Sequence, residues 1–364
     1  MKKTIITIIQ VFVTLGILFW IFHDKQKREA MWNKLQNANL LWILAGVAAY
    51  GIVEILGATR WQLLLRVQGI YVPWYRLGSL LMIGIFFNQF MPGGTGGDVV
   101  KIFYLLKETP NKKTQALLAV LMDRLIGLIG LIFVAGVVII WNWSWLTQGK
   151  PIPHFECSWL ISYGKMKLWL AQIPATTQLL YTLLAILAVT VLGLIASFAI
   201  TGLGLAHKLP ARFPKRDIFV DLSIAYNLYA RAWKASLFTI LISFAVHIFS
   251  FLMFYSAARS LGMIIPVFEF FAIMPIINTL ASLPISVGGA GVREGLFQTM
   301  LTTLCTNVNT AEAVGVSLLG ASMVLSWGLV GGIIYLFYRP SEHEKLRDIE
   351  QQVEKLEHEI AESD

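Results

Sequence analysis

The sequence predicts an all-α polytopic membrane protein, with six full spans and two re-entrant or broken helical hairpins in two halves of inverted topology. Three observations carry that prediction. Hydrophobic residues make up 57% of the 364-residue chain, charged residues only 14%, and mean hydropathy is +0.68; a soluble domain carries about 25% charged residues. Apolar runs of about 20 residues, the length that crosses a bilayer core as a helix, recur between residues 4 and 338. Two further apolar runs are shorter and end in Gly/Pro-rich breaks.

Taken in order, Thr4–Phe22 follows Met1-Lys2-Lys3 and has the outline of a signal peptide. Its length, the lack of a small-residue cleavage site and the bases behind it make it a retained span. Leu40–Thr59 is the second span. Leu77–Phe90 is too short to cross and runs into "MPGGTGGD". Ala116–Ile140 spans and closes on "WNWSW", whose Trp141, Trp143 and Trp145 form an interfacial anchor. Leu179–Thr201 spans again. Residues 208–234 mix bases with aromatics and suit the cytoplasmic interface, beside anionic lipid. Ala235–Ala258 spans, Pro266–Leu283 stops at "LPISVGGAGVREG", and Ala313–Tyr338 completes the set. Backbone that leaves a helix at membrane depth must be buried in protein or line a wet cavity, so the two short runs read as hairpins. Residues 1–340 thus form one membrane domain, with halves at about 1–145 and 175–340. Residues 341–364 form a charged helical tail, with Leu346, Ile349, Val353, Leu356 and Ile360 at coiled-coil spacing. That tail offers a weak homo-oligomer contact or a helix packed down on the domain.

Charge orients the elements. The tail holds nine acids and three bases, which leaves 26 bases against 12 acids elsewhere. Lys101, Lys107, Lys112 and Lys113 crowd one loop, and Lys208, Arg212, Lys215, Arg216, Arg231 and Lys234 another. Both belong in the cytoplasm under the positive-inside rule. Residues 260–265 and 301–312, nearly free of bases, belong outside. Both termini then fall in the cytoplasm, and Lys25, Lys27, Arg28 and Lys34 are the one group on the wrong side. The halves come out inverted, with Arg60 in "GATRW" matched to Arg259 in "SAARS", and Asp98 to Glu294 about 35 residues later. Inverted repeats with interrupted segments at matching places are the pointer to a transporter site at mid-membrane.

The breaks carry the candidate chemistry. Gly93, Gly94, Gly96 and Gly97 let backbone N–H groups converge on an anion, and a helix starting near Gly97 turns its positive end toward the same point. Asn88 can bond a headgroup or the broken backbone, Asp98 can cap the helix or face ligand, and Lys101 adds a cation. In the second break Gly288, Gly289 and Gly291 precede Arg293, whose fork suits a phosphodiester, and Glu294, its neighbour and alternative partner. Glu54, Arg60, Asp123, Arg124 and His247 lie in apolar company and are candidates for coupling or support; for His247 both proton relay and hydrogen-bonded packing fit.

No soluble-enzyme motif survives inspection. "GGTGGD" lacks the Lys-Ser/Thr of a phosphate loop, no His/Cys/Asp set has zinc spacing, and no G-x-S-x-G is present. Cys157 and Cys305 stand alone. No metal, cofactor or nucleic-acid partner is expected.

The run from Asn88 to Lys101, N-x-x-x-P-G-G-x-G-G-D with a base three residues on, the "DRL" at Asp123 and the "LPISVGGAGVREG" at Leu283 together resemble the lysylphosphatidylglycerol synthase transmembrane family. This is the flippase-like membrane domain of multiple-peptide-resistance factors and of stand-alone proteins. The resemblance implies movement of an aminoacylated or related lipid, or a lipid-linked sugar, between leaflets of a prokaryotic cell membrane. Full-length synthases of the family carry a soluble aminoacyl-transfer domain, and a 24-residue tail has no room for one. The expectation is therefore a lipid transporter without lysyl transfer. A membrane-embedded transferase of phospholipid or polyprenyl-phosphate sugars, or a non-transporting subunit beside a lipid-modifying enzyme, is the alternative.

Overall fold

A chain in lipid must satisfy its backbone within each segment, and the apolar runs do so as helices. The computed structural model describes residues 25–90, 96–109, 112–141, 143, 175–201, 216–282, 286, 289–304 and 308–338. Among the described residues there are eleven helices and no strand. In chain order they are α1 (Lys25–Gln36), α2 (Leu40–Val67), α3 (Trp74–Phe90), α4 (Gly96–Glu108), α5 (Lys113–Trp141), α6 (Ala175–Thr201), α7 (Arg216–Arg231), α8 (Trp233–Ser260), α9 (Val267–Ala281), α10 (Val292–Leu304) and α11 (Thr310–Phe337).

Four of these, α2, α5, α8 and α11, are long and apolar enough to cross a membrane, where the sequence suggested six spans. A further expected span, Leu179–Thr201, coincides with the 27-residue helix α6. The sixth, Thr4–Phe22, and the tail lie outside the described residues.

Two helix boundaries differ from the sequence reading, for one physical reason. α2 does not stop at Thr59 but continues to Val67. A charge ends an apolar run on paper, yet Arg60 is neutralised by a partner on another helix, and Trp61, Leu64 and Leu65 beyond it are fully buried. Glu54 therefore sits mid-helix, not near a span's end. Likewise α5 starts at Lys113, so Asp123 lies about ten residues in, roughly 15 Å along the axis at about 1.5 Å per residue.

The helices α2–α5 run long, short, short, long at 28, 17, 13 and 29 residues, and α8–α11 repeat this at 28, 15, 13 and 28. A shift of 193 residues carries Leu40–Val67 onto Trp233–Ser260, Gly69 onto Gly262 and Pro73 onto Pro266. Gly69 and Gly262 share a left-handed backbone, with φ of 70° and 80°. Each donates its N–H to the carbonyl three residues back, Arg66 or Arg259, at 2.9 and 3.1 Å, and so closes its helix. This register corrects the pairing read from sequence: Arg259 matches Arg66, not Arg60. The residues Arg-x-x-Gly, three apart, close the helix end in both places, and "GATRW" and "SAARS" fall out of step in this register.

The corresponding helices α2 and α8 form the most extensive contact among the described residues, and they are antiparallel. Asn39 at the start of α2 donates its N–H to Ser260 at the end of α8 at 2.8 Å, while Arg60 reaches Ser243. The loops gather at two opposite ends. One end joins Lys34 to Glu312 at 2.7 Å and stacks Trp141 on Phe268 at 4.9 Å. The other joins Lys112 to the Gly69 carbonyl at 2.6 Å, Tyr338 to Glu108 at 2.6 Å and Tyr229 to the Leu64 carbonyl at 3.0 Å. Both ends of the α3–α4 pair lie at this second end, bridged by Arg76 and Glu108 at 3.5 Å. The α9–α10 pair opens at the first, between Gly262 and Asn309. Asn309 and Glu312 cap α11 reciprocally, at 2.9 and 3.1 Å.

Candidate functional site

The first break is shaped by a glycine contact. Gly97 of α4 lies against Gly84 of α3, and a Cβ at Gly97 would collide with the Gly84 carbonyl oxygen. Only glycine lets the two arms approach so closely. The Asn88 side-chain oxygen accepts the Gly97 N–H at 2.8 Å, tying the end of α3 to the start of α4. Asn88 thus has a defined job within the hairpin, and the Gly97 N–H is already spent. Gly96 opens α4, while Gly93 and Gly94 fall outside the described residues. Asn88→Ala leaves that buried N–H without an acceptor, which costs about 1–3 kcal/mol; the expected result is a lower thermal unfolding temperature in detergent.

One turn into α4 the charges begin. Lys101 is 4% exposed, 3.5 Å from Asp98, with its ammonium 4.6 Å from the centre of the Trp61 ring. A cation over an indole face gains electrostatically, more so when desolvated. Asp98 is also ion-paired with Arg124 of α5, whose side chain is 59% exposed. The next layer is the junction of α2, α5 and α8. Arg60 grips Asp123 with two parallel bonds, Nε to Oδ1 at 2.8 Å and Nη2 to Oδ2 at 3.1 Å, and donates Nη1 to Ser243 Oγ at 2.8 Å. Gly130 lets α5 close on α8 here, since a Cβ would stand 2.6 Å from the Ser243 Cβ. His247 Nε2 donates to the Gly127 carbonyl at 2.9 Å, so this histidine holds α5 to α8. Glu54 lies on α2 one turn from Tyr50, within electrostatic reach of Lys101 and Arg60. The Trp61 indole N–H is buried and finds no acceptor among the described residues.

The second break folds on the same plan with different chemistry. Glu294, 1% exposed, accepts the Gly291 N–H at 2.5 Å and the Ser317 hydroxyl at 2.7 Å. Arg293 donates to Ser317 Oγ at 3.1 Å and to Glu294 at 3.3 Å. Gly289 and Gly291 have φ of 76° and 84°, and a Cβ at Gly289 would meet the Ala281 carbonyl oxygen at 2.8 Å. Gly288 is outside the described residues. The Ser286 hydroxyl, in the break itself, is buried without a partner among the described residues.

The structure therefore gathers Glu54, Arg60, Lys101, Asp98, Asp123, Arg124 and His247 around the α2–α4–α5–α8 junction. Arg293 and Glu294 form a separate cluster with α11. Among the described residues no ion pair joins the two. Sequence reasoning missed Ser243, Ser317 and Trp61, which face these charges. Their one signal is a polar or indole group at the depth of an intramembrane charge on a neighbouring helix.

The comparison with known families decides what kind of chain this is. The model of the lysylphosphatidylglycerol synthase TM region matches residues 7–331. The chain belongs to this family. It is also similar to the UPF0104 membrane protein PH1989 of Pyrococcus horikoshii, at 30% identity over 131 residues, 35% of this chain and 38% of that protein. A second similarity, at 23% over 164 residues, is to the UPF0104 membrane protein MJ1595 of Methanocaldococcus jannaschii, covering 45% of this chain and 47% of that protein. The chain thus matches less than half the length of either curated relative. The two relatives are archaeal membrane proteins, and this member of the lysylphosphatidylglycerol synthase TM family is a multi-pass membrane protein whose family points to a lipid-related role.

Proposed function

We propose that the chain is a flippase that moves an anionic or phosphate-bearing lipid headgroup, aminoacylated or glycosylated lipids included, between the leaflets of a prokaryotic cell membrane. The observation that carries this reading is the set of six charged side chains near the broken end of the α3–α4 hairpin, in a largely apolar bundle. Ionisable groups at membrane depth are costly and mark pathways. A charged headgroup crossing hydrocarbon unaided faces the same cost, and a pre-formed polar path lowers it while the acyl chains stay in lipid. The two breaks, with Asp98, Lys101 and Arg124 at one and Arg293, Glu294 and Ser286 at the other, provide the ends of that path.

The motion follows from the repeat. Matched helix lengths, the shared Gly-x-x-x-Pro turns and the antiparallel α2–α8 pair support two inverted halves. Hairpins α3–α4 and α9–α10 enter from opposite sides, and rocking of one half against the other exposes the charged path to each leaflet in turn. The loop end carrying Lys107, Lys112, Lys113, Arg231 and Lys234 faces the cytoplasm, with both termini and the anionic lipid of that leaflet. In a background with Cys157→Ser and Cys305→Ser, Lys112→Cys is then labelled only by reagent on the cytoplasmic side, and Asn309→Cys only from outside. The opposite pattern inverts the topology.

The experiment is movement of headgroup-labelled anionic lipid across liposomes carrying the purified chain, with mass spectrometry of the same lipids. Movement with unchanged lipid mass supports a flippase. A changed mass supports the transferase alternative, in which Asp98 or Glu294 serves as base. Neither result across anionic and glycosylated lipids removes both, and leaves a partner role beside a lipid-modifying enzyme.

A further inference from the structure

The charges around the first break do not match one to one. The bases are Arg60, Lys101 and Arg124; the acids are Glu54, Asp98 and Asp123. Arg60 and Asp123 satisfy each other through a two-bond fork. Asp98 is shared by two cations, Arg124 and Lys101. Glu54 is left over: among the described residues it makes no ion pair. It sits mid-way along α2, half-buried, one turn from Tyr50.

We infer that Glu54 is the proton-binding group of the transport cycle, and that one proton enters with each anionic phosphodiester headgroup. The inference rests on the flippase reading and names its substrate class and coupling ion. With Glu54 ionised the six charges sum to zero, and an added anion would be an uncompensated charge in a medium of low dielectric. With Glu54 protonated the set carries one net positive charge. That charge lies on the Lys101–Arg124 side, where two cations share one carboxylate. Arg124 is the accessible member, and its guanidinium can turn from Asp98 to a phosphodiester through a bidentate fork. Loss of the proton from Glu54 restores neutrality and expels the anion.

The surroundings of Glu54 contain few competing groups. On α2 the groups that act on it are Tyr50 and Arg60, and on α4 Lys101, itself paired with Asp98. On α5 are Asp123 and Arg124, already paired. On α8 is His247, held by the Gly127 carbonyl. The other helices packed on α2, α3 and α11, bring Arg76 and Glu312 only at their outer ends and add no charge at this level.

The test uses the full chain in detergent at weak buffering, with short-chain phosphatidylglycerol as probe and a pH dye as readout. The expected result is uptake of about one proton per lipid bound, lipid binding that weakens as pH rises, and no proton uptake in Glu54→Gln, whose binding no longer depends on pH. Lipid binding without proton uptake in the wild-type chain, or unchanged uptake in Glu54→Gln, overturns the inference while leaving the flippase standing. A wild-type chain that binds no anionic lipid overturns both. In liposomes an imposed pH gradient should bias the direction of phosphatidylglycerol movement by the wild type; movement indifferent to the gradient also overturns the coupling.

Discussion

Asp123→Ala lowers stability by about 3–5 kcal/mol, the cost of leaving a buried charge without its partner. Asp123 is 6% exposed and takes two bonds from Arg60, whose third nitrogen is fixed on Ser243 of α8. The side chain thus links α5 to α2 and, through Arg60, to α8. Removing it leaves the largely buried Arg60 guanidinium without its carboxylate, and the expected readout is a large fall in thermal unfolding temperature in detergent. Replacing both partners with apolar residues of similar volume, Arg60→Met with Asp123→Leu, should recover most of the loss, because a buried pair and a packed apolar pair are close in energy. A single Asp123→Ala variant as stable as the wild type would mean that the pair holds nothing together.

The second large effect is on transport, not on the fold. Arg124→Ala slows headgroup movement by about tenfold to a hundredfold. A hydrogen bond to a charged group is worth about 1.5–3 kcal/mol, and about 1.4 kcal/mol is tenfold. The guanidinium is more than half exposed, and its partner Asp98 keeps Lys101 when it is gone. Stability should therefore change little. That separation distinguishes Arg124 from Arg60, where stability and transport fall together. Arg124→Lys keeps the charge but not the planar fork, and should recover only part of the rate.

Much of the fold was legible because lipid leaves few choices. Apolar runs became helices, and the Gly/Pro breaks fell between short arms, with Asn88 holding Gly97 only nine residues away. What sequence could not supply were partners from distant segments. Arg60 looked like the end of a span because its neutralising acid is 63 residues away, and Ser243, which completes the junction, is 183 away. The matching rhythm of helix lengths was visible, but the arginines were paired out of step with the helix-closing Gly69 and Gly262. The glycines at Gly97 and Gly289 looked like anion-binding backbone; in the fold they first serve close approach of helix arms. The family motif located the charged corner, and the structure supplied its pairings.

The central claim is that a headgroup passes this corner. It is tested most directly by the time course with which headgroup-labelled phosphatidylglycerol becomes reachable by a membrane-impermeant quencher in liposomes. The comparison is between wild type, Arg124→Ala and protein-free vesicles. The expected result is quenching that proceeds beyond the outer-leaflet share with the wild type, far more slowly with Arg124→Ala, and not at all without protein. Quenching that halts at the outer-leaflet share with the wild type, or that runs equally fast with Arg124→Ala, would contradict it.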